Sequence, residues 1–269
     1  MVKGVRMTAV ESKRLCVDGQ VLCTGLQKAS SRSEEPILCL IRSDTIRFIA
    51  VSGLRLIVSW EKRLRQPMEG TLAFVVPPLV AELLSGKVIC SQVVVEFAMR
   101  STEVIARLTD HLGSYEIRWK SDVASFPAPE AFGQIVNVPE ALMEVPYLKF
   151  SDATHQAVAK LIRMEANEQV SPSKLAILID LDFGRLRVDG EEIVTTASRQ
   201  YFFDPRLVIR ALEFLKDRNL RVGITPLATE RQAYLSLLAE EGEWTVHCSL
   251  LSIGTDTQRL YPLPPGRNR

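Results

Sequence analysis

No stretch of this chain approaches the roughly 20 consecutive apolar residues that a membrane-spanning helix needs. A secretory leader is not expected either: Met1 to Arg6 is basic, but Glu11, Lys13 and Arg14 arrive too early for an apolar leader core. Charge of one sign is missing as well. Thirty-three Lys and Arg stand against 32 Asp and Glu, a formal net charge of +1, so bulk attraction to a polyanion is not implied. Any nucleic-acid surface would have to be a local basic face. Histidine is scarce: His111, His155 and His247 lie far apart, without ligand-like spacing. The five cysteines, Cys16, Cys23, Cys39, Cys90 and Cys248, form no CxxC, which argues against a zinc site or a disulfide framework. They read as buried free thiols of a protein in the reducing cytoplasm.

Catalytic signatures are absent too. There is no phosphate-cradling glycine loop, no nucleophile elbow and no Cys/His pair. Asp180 and Asp182 read as a strand-and-turn pair, and Asp189-Gly190-Glu191-Glu192 lacks the calcium-loop pattern. The expectation is a protein that is not an enzyme, with no metal and no cofactor.

What is present is ordinary globular composition, 46% hydrophobic and 24% charged, over 269 residues. That length suits two medium domains. The halves share a plan of strand, helix, hairpin strands, then a second strand, helix and hairpin strands. In the first half, a strand at 13–18 precedes an amphipathic helix at 19–31, with Val21, Leu22, Leu26 and Ala29 near helical spacing. Strands follow at 37–42, 46–51, 54–60 and 71–76. A second helix opens at Pro77-Pro78, where a first-turn proline is tolerated, and ends at Gly86. Strands at 93–99, 104–109 and 115–120 complete the half. The second half predicts a strand at 147–150, a helix at 153–166 capped by Ser151 or Asp152, and a hairpin through Asp182-Phe183-Gly184. A strand at 194–203 then leads into a helix opened by Asp204-Pro205, with strands at 220–224, 233–238 and 244–251. The boundaries expected are a first domain at 11–125, a proline-rich linker at 126–146 and a second domain at 147–253. A proline-rich tail at 254–269 follows.

Several strings in this order resemble the bacterial DNA sliding clamp, the beta subunit of the replicative polymerase. They are Arg47-Phe48-Ile49-Ala50-Val51-Ser52-Gly53-Leu54-Arg55-Leu56, then Thr71 to Pro77, then Tyr115 to Arg118 running through Asp122, Phe126 and Pro127, and finally Phe203 to Leu215. The resemblance covers roughly residues 11 to 253, two of that family's three domains. It implies an α+β fold of two clamp-like domains, each with antiparallel sheets and two helices on one face. Six such domains close a ring in the family, so this chain would need three copies, while a monomer stays open.

On the clamp reading, the helices would carry the DNA-facing cations: Lys28 and Arg32, Lys160 and Arg163, and Arg206, Arg210 and Lys216. Sliding needs phosphate attraction without base readout. The same residues also read as ordinary solvated helix charges, and the second helix offers only Glu82 before Lys87. The resemblance further implies a peptide groove between the domains, lined by Val51, Gly53, Leu54, Arg55 and Leu56 and by Val246, Cys248 and Leu250. The alternative is that Leu54, Leu56 and Leu250 are core. Two functions stay open: a DNA-tethering or protein-docking ring, or a clamp fold reused to sequester a protein partner without encircling DNA. Expected partners are thus a protein in the groove and duplex DNA, with no membrane.

Overall fold

The computed structural model describes residues 13–31, 35–52, 56–64, 70–86, 94–100, 102–109, 113–127, 132–143, 177–180, 185–186, 202–203, 207, 210–211, 214–215, 219–226 and 232–252. The chain divides into two units. One holds 1–50 with 59–126; the other holds 51–58 with 127–269.

The first unit begins with β1 (Lys13–Asp18) and α1 (Gly19–Ser30). In β1, Leu15 and Val17 are buried while Cys16 and Asp18 are exposed, the period-2 alternation of a half-buried strand. Asp18 then starts the helix: its Oδ1 accepts from the N–H groups of Gln20 at 2.8 Å and Val21 at 3.3 Å, serving two of the orphan donors. Strands β2 (Ile37–Ile41), β3 (Thr45–Ser52), β4 (Leu56–Arg63) and β5 (Leu72–Val76) follow, then α2 (Pro78–Ser85). They are succeeded by β6 (Val94–Arg100), β7 (Glu103–Thr109) and β8 (Ser114–Lys120), and by a 3-10 turn at Val123–Ser125.

Two antiparallel arrays result: β1-β6-β7-β8, and β4-β3-β2-β5. Phe48, Phe74, Phe97 and Trp60 are at most 1% exposed and fill the core. Phe74 packs 4.8 Å from Phe97 and edge-on to Trp119 at 5.8 Å, centroid to centroid, in the tilted arrangements aromatic pairs prefer. Arg47 is buried in this unit and pairs with Glu61 of β4. A buried guanidinium needs such a partner, because desolvation of a lone charge is costly.

On the outer face of the first array, Cys16, Glu96, Arg107 and Glu116 stand opposite one another across four strands. The guanidinium groups of Arg107 and Arg118 hydrogen-bond Glu116 and hold its carboxyl below the usual carboxylate range. A lowered folded pKa gives stability above the ordinary carboxylate pKa that is lost as pH falls through the folded value. The pair is exposed, so Glu116→Gln is expected to leave the melting temperature at neutral pH nearly unchanged in calorimetry.

Cys16 also corrects the expectation of buried thiols: it is exposed, because it occupies the solvent-facing phase of β1. Cys23, Cys39 and Cys248 are buried, and burial pushes the Cys39 thiol far above its ordinary value. Among these four, iodoacetamide on the native protein should modify Cys16 and spare the others until unfolding, as read by peptide mass mapping.

The second unit opens with α3 (Phe132–Leu142) inside the segment expected to be an extended linker. Phe132, Ile135, Val138 and Leu142 recur at helical spacing, and that periodicity overrides the prolines. Ile135 is 1% exposed, and Val138 packs on Leu238. Pro139 lies inside the helix, and its carbonyl accepts from the N–H of Met143 at 3.2 Å. Three short strands, β9 (Ile177–Asp180), β10 (Arg185–Leu186) and β11 (Phe202–Phe203), pair antiparallel in the order β10-β9-β11. The pairing of Arg185 with Asp180 agrees with the hairpin read from the sequence.

Strands β12 (Arg221–Pro226), β13 (Ala233–Glu241) and β14 (Trp244–Leu251) form a meander around Gly242, whose φ of 60° suits a tight turn. On its other side β14 has β4 as hydrogen-bonded neighbour, and the opening residues of β4, 56–58, group with this unit. The expected strand at 147–150 and helix at 153–166 lie outside the described residues, as does most of the expected strand at 194–203.

Candidate nucleic-acid and partner-binding faces

The helix pair of the first unit is fixed by its own termini. The Ser85 carbonyl, in the last turn of α2, would lack a helical donor. It accepts instead from the Gln27 amide at 3.1 Å and the Cys23 thiol at 3.3 Å, both on α1. Leu22, Leu26 and Ala29 of α1 and Ala81 and Leu84 of α2 turn inward, each at most 1% exposed. Gly25 lets α1 sit directly on β3: a Cβ there would lie 2.1 Å from the Phe48 ring.

The outward face of this pair is nearly uncharged. Gln20, Gln27 and Ser30 are exposed on α1, with Lys28 half-buried in its last turn, where a cation meets the negative end of the helix dipole. On α2 the exposed residues are Pro78, Leu79, Glu82 and Leu83, with Leu79 68% and Leu83 56% exposed. Lys28 and Glu82 cancel, so α1 and α2 together supply no net attraction for phosphate.

Of the other cations expected to meet DNA, Arg210 is exposed, next to buried Ala211 and near buried Leu215 in the chain. Arg32, Lys160, Arg163, Arg206 and Lys216 lie outside the described residues.

The expected groove residues fall in one unit but not in an open cleft. Val51 and Leu56 belong with β14 in the second unit. Val246, Cys248 and Leu250 occupy one face of β14, opposite Ala239, Leu237 and Leu235 of β13. All three are 0% exposed, with Val51 at 1% and Leu56 at 6%, so these five side chains are core. Gly53, Leu54 and Arg55 lie outside the described residues.

The other face of the meander holds a polar row that sequence reasoning missed. Ser236 Oγ lies 3.2 Å from Ser249 Oγ, and Ser249 Oγ lies 2.9 Å from His247 Nε2. Every member is at most 3% exposed, so the hydroxyls and imidazole satisfy one another inside the core. The period-2 positions of Ser249 and His247 on one strand were the available signal. Among the described residues no cluster of three His, Cys, Asp or Glu could hold a metal, and no helix is long and apolar enough to cross a membrane.

No family model matches the sequence, and no curated protein matches it. Solved structures do match. The DNA polymerase accessory subunit PF-8 of Kaposi's sarcoma-associated herpesvirus superposes with a TM-score of 0.54 at 13% identity, over 89% of this chain and 99% of that one. The beta chain of DNA polymerase III from Streptococcus pneumoniae superposes with a TM-score of 0.51 at 10% identity, over 93% of this chain and 67% of that one. Identities this low speak to architecture alone, and on that the antiparallel arrays and the packed helix pair agree: the chain has the α+β fold of the DNA sliding clamps.

Proposed function

We propose that this protein is a non-catalytic, clamp-like tethering factor that closes a ring of three copies around duplex DNA. The observation that carries the reading is the architecture. The chain spans nearly the whole of a viral polymerase accessory subunit and about two thirds of a bacterial beta chain. Two domains per chain call for three copies to make a six-domain ring.

A head-to-tail contact repeated between copies is heterologous, and such contacts make rings when the rotation closes.

Because α1 and α2 are neutral outside, phosphate attraction falls to the second unit, through Lys160, Arg163, Arg206, Arg210 and Lys216, with Arg32 beside the first helix. Protein docking falls to Gly53, Leu54 and Arg55, since the β14 residues are core. The setting is the cytoplasm.

Topological holding has a specific test. Protein loaded on nicked circular plasmid should be retained through gel filtration and lost when the plasmid is linearised. Arg163→Ala with Arg210→Ala should reduce retention at least tenfold while leaving the melting temperature unchanged. Retention that is equal on circular and linear DNA contradicts the ring. No retention on either favours the regulator that sequesters a protein partner.

A further inference from the structure

Among the described residues, strand β5 closes one end of its sheet, with β2 on its inner side. Its sequence, Leu72-Ala73-Phe74-Val75-Val76, is wholly apolar and uncharged. An edge of that composition is a template for strand addition and aggregation. In an antiparallel strand the N–H and C=O of one residue point to the same side. Here both groups of Val75 are taken up by side chains. Its N–H donates to Ser121 Oγ at 2.7 Å, and its carbonyl accepts from the Trp119 indole N–H at 2.8 Å; both bonds are buried.

The two side chains thus supply Val75 with the acceptor and the donor that a neighbouring strand would bring. They are themselves held in place. Ser121 is 2% exposed, and its N–H donates to the Thr102 carbonyl at 2.7 Å. Trp119 is 7% exposed and edge-on to Phe74. The Val123–Ser125 turn, capped by Asp122 through the Ala124 N–H at 3.0 Å, lies against β5. Edge β8 is treated differently: it carries exposed Glu116, Arg118 and Lys120, charges that discourage pairing of like edges.

We propose that the Trp119–Ser121 clasp on Val75 is an edge cap that prevents β5 from pairing with β5 of a second copy of this chain. Self-pairing at this edge would divert copies from any ordered assembly into open-ended association.

The test compares wild type with Trp119→Phe/Ser121→Ala, which keeps an aromatic ring beside Phe74 and removes both capping groups. The expected result is a folded protein by circular dichroism whose Val75 amide exchanges at least about tenfold faster. Its sedimentation profile should show larger, polydisperse species growing with concentration. A folded double variant with the wild-type profile over the same range overturns the proposal. If the double variant does not fold, Ser121→Ala alone decides, because it removes one hydroxyl. A fast Val75 amide with concentration-dependent larger species supports the cap. An unchanged amide, or a fast amide beside an unchanged profile, overturns it.

Discussion

Gly25→Ala is expected to destabilise the first unit by about 3 kcal/mol, lowering its melting temperature by on the order of 10 °C in calorimetry. Helix propensity alone predicts the opposite sign, a gain of about 1 kcal/mol for alanine over glycine in a helix interior. Packing wins because the added Cβ would lie 2.1 Å from one Phe48 ring carbon and 2.3 Å from a second. Phe48 is 0% exposed in the middle of β3, and overpacking a buried ring is costly. Either α1 lifts from the sheet or the ring leaves its well. Lifting α1 would also strain the bonds from Gln27 and Cys23 to the Ser85 carbonyl. Adding Phe48→Leu to Gly25→Ala should recover part of the loss, since a smaller side chain clears the new methyl. A variant as stable as wild type would mean that α1 does not rest on β3 in this way.

Phe74→Ala should cost more, about 4 kcal/mol, within the range for deleting a buried aromatic ring. The ring is 0% exposed and stands between Phe97 and Trp119. Its removal opens a cavity between the two arrays and takes away the edge that orients the indole. Trp119 holds the Val75 carbonyl through its N–H, so the loss should spread from the core to the β5 edge. Two readouts separate these effects. Denaturant unfolding reports the core, and the indole emission maximum reports whether Trp119 becomes wetter in the folded state. A loss under about 1 kcal/mol would contradict the packing described.

Local signals were legible where one rule governed one element. The helical spacing of Val21, Leu22, Leu26 and Ala29 gave α1, Pro78 gave the start of α2, and alternating or continuous apolar runs gave β2, β13 and β14. The helix α3 was hidden because four prolines between 127 and 146 outweighed the spacing of Phe132, Ile135 and Val138. Cys16 was misplaced because residue type suggested burial, while its phase in β1 set its exposure. The groove was the hardest to judge. In β13, Ala233 to Ala239 are all buried, so neither face of that strand is open to solvent. An apolar string such as Val246, Cys248 and Leu250 reads the same whether it lines a cleft or fills a core; only the packing above it decides. The grouping of residues 51–58 with the second unit is a tertiary fact with no local signature. The helix charges could be counted from sequence, but the exposure of Leu79 and Leu83 needed the packed pair.

The central claim is a ring built from copies of this chain, and solution mass tests it most directly. Light scattering of the purified protein across a dilution series should give a constant mass near three chains of 30.1 kDa, about 90 kDa, as a closed head-to-tail assembly requires. A mass of one chain at micromolar concentration would contradict the account, since two clamp-like domains alone leave no ring to hold DNA.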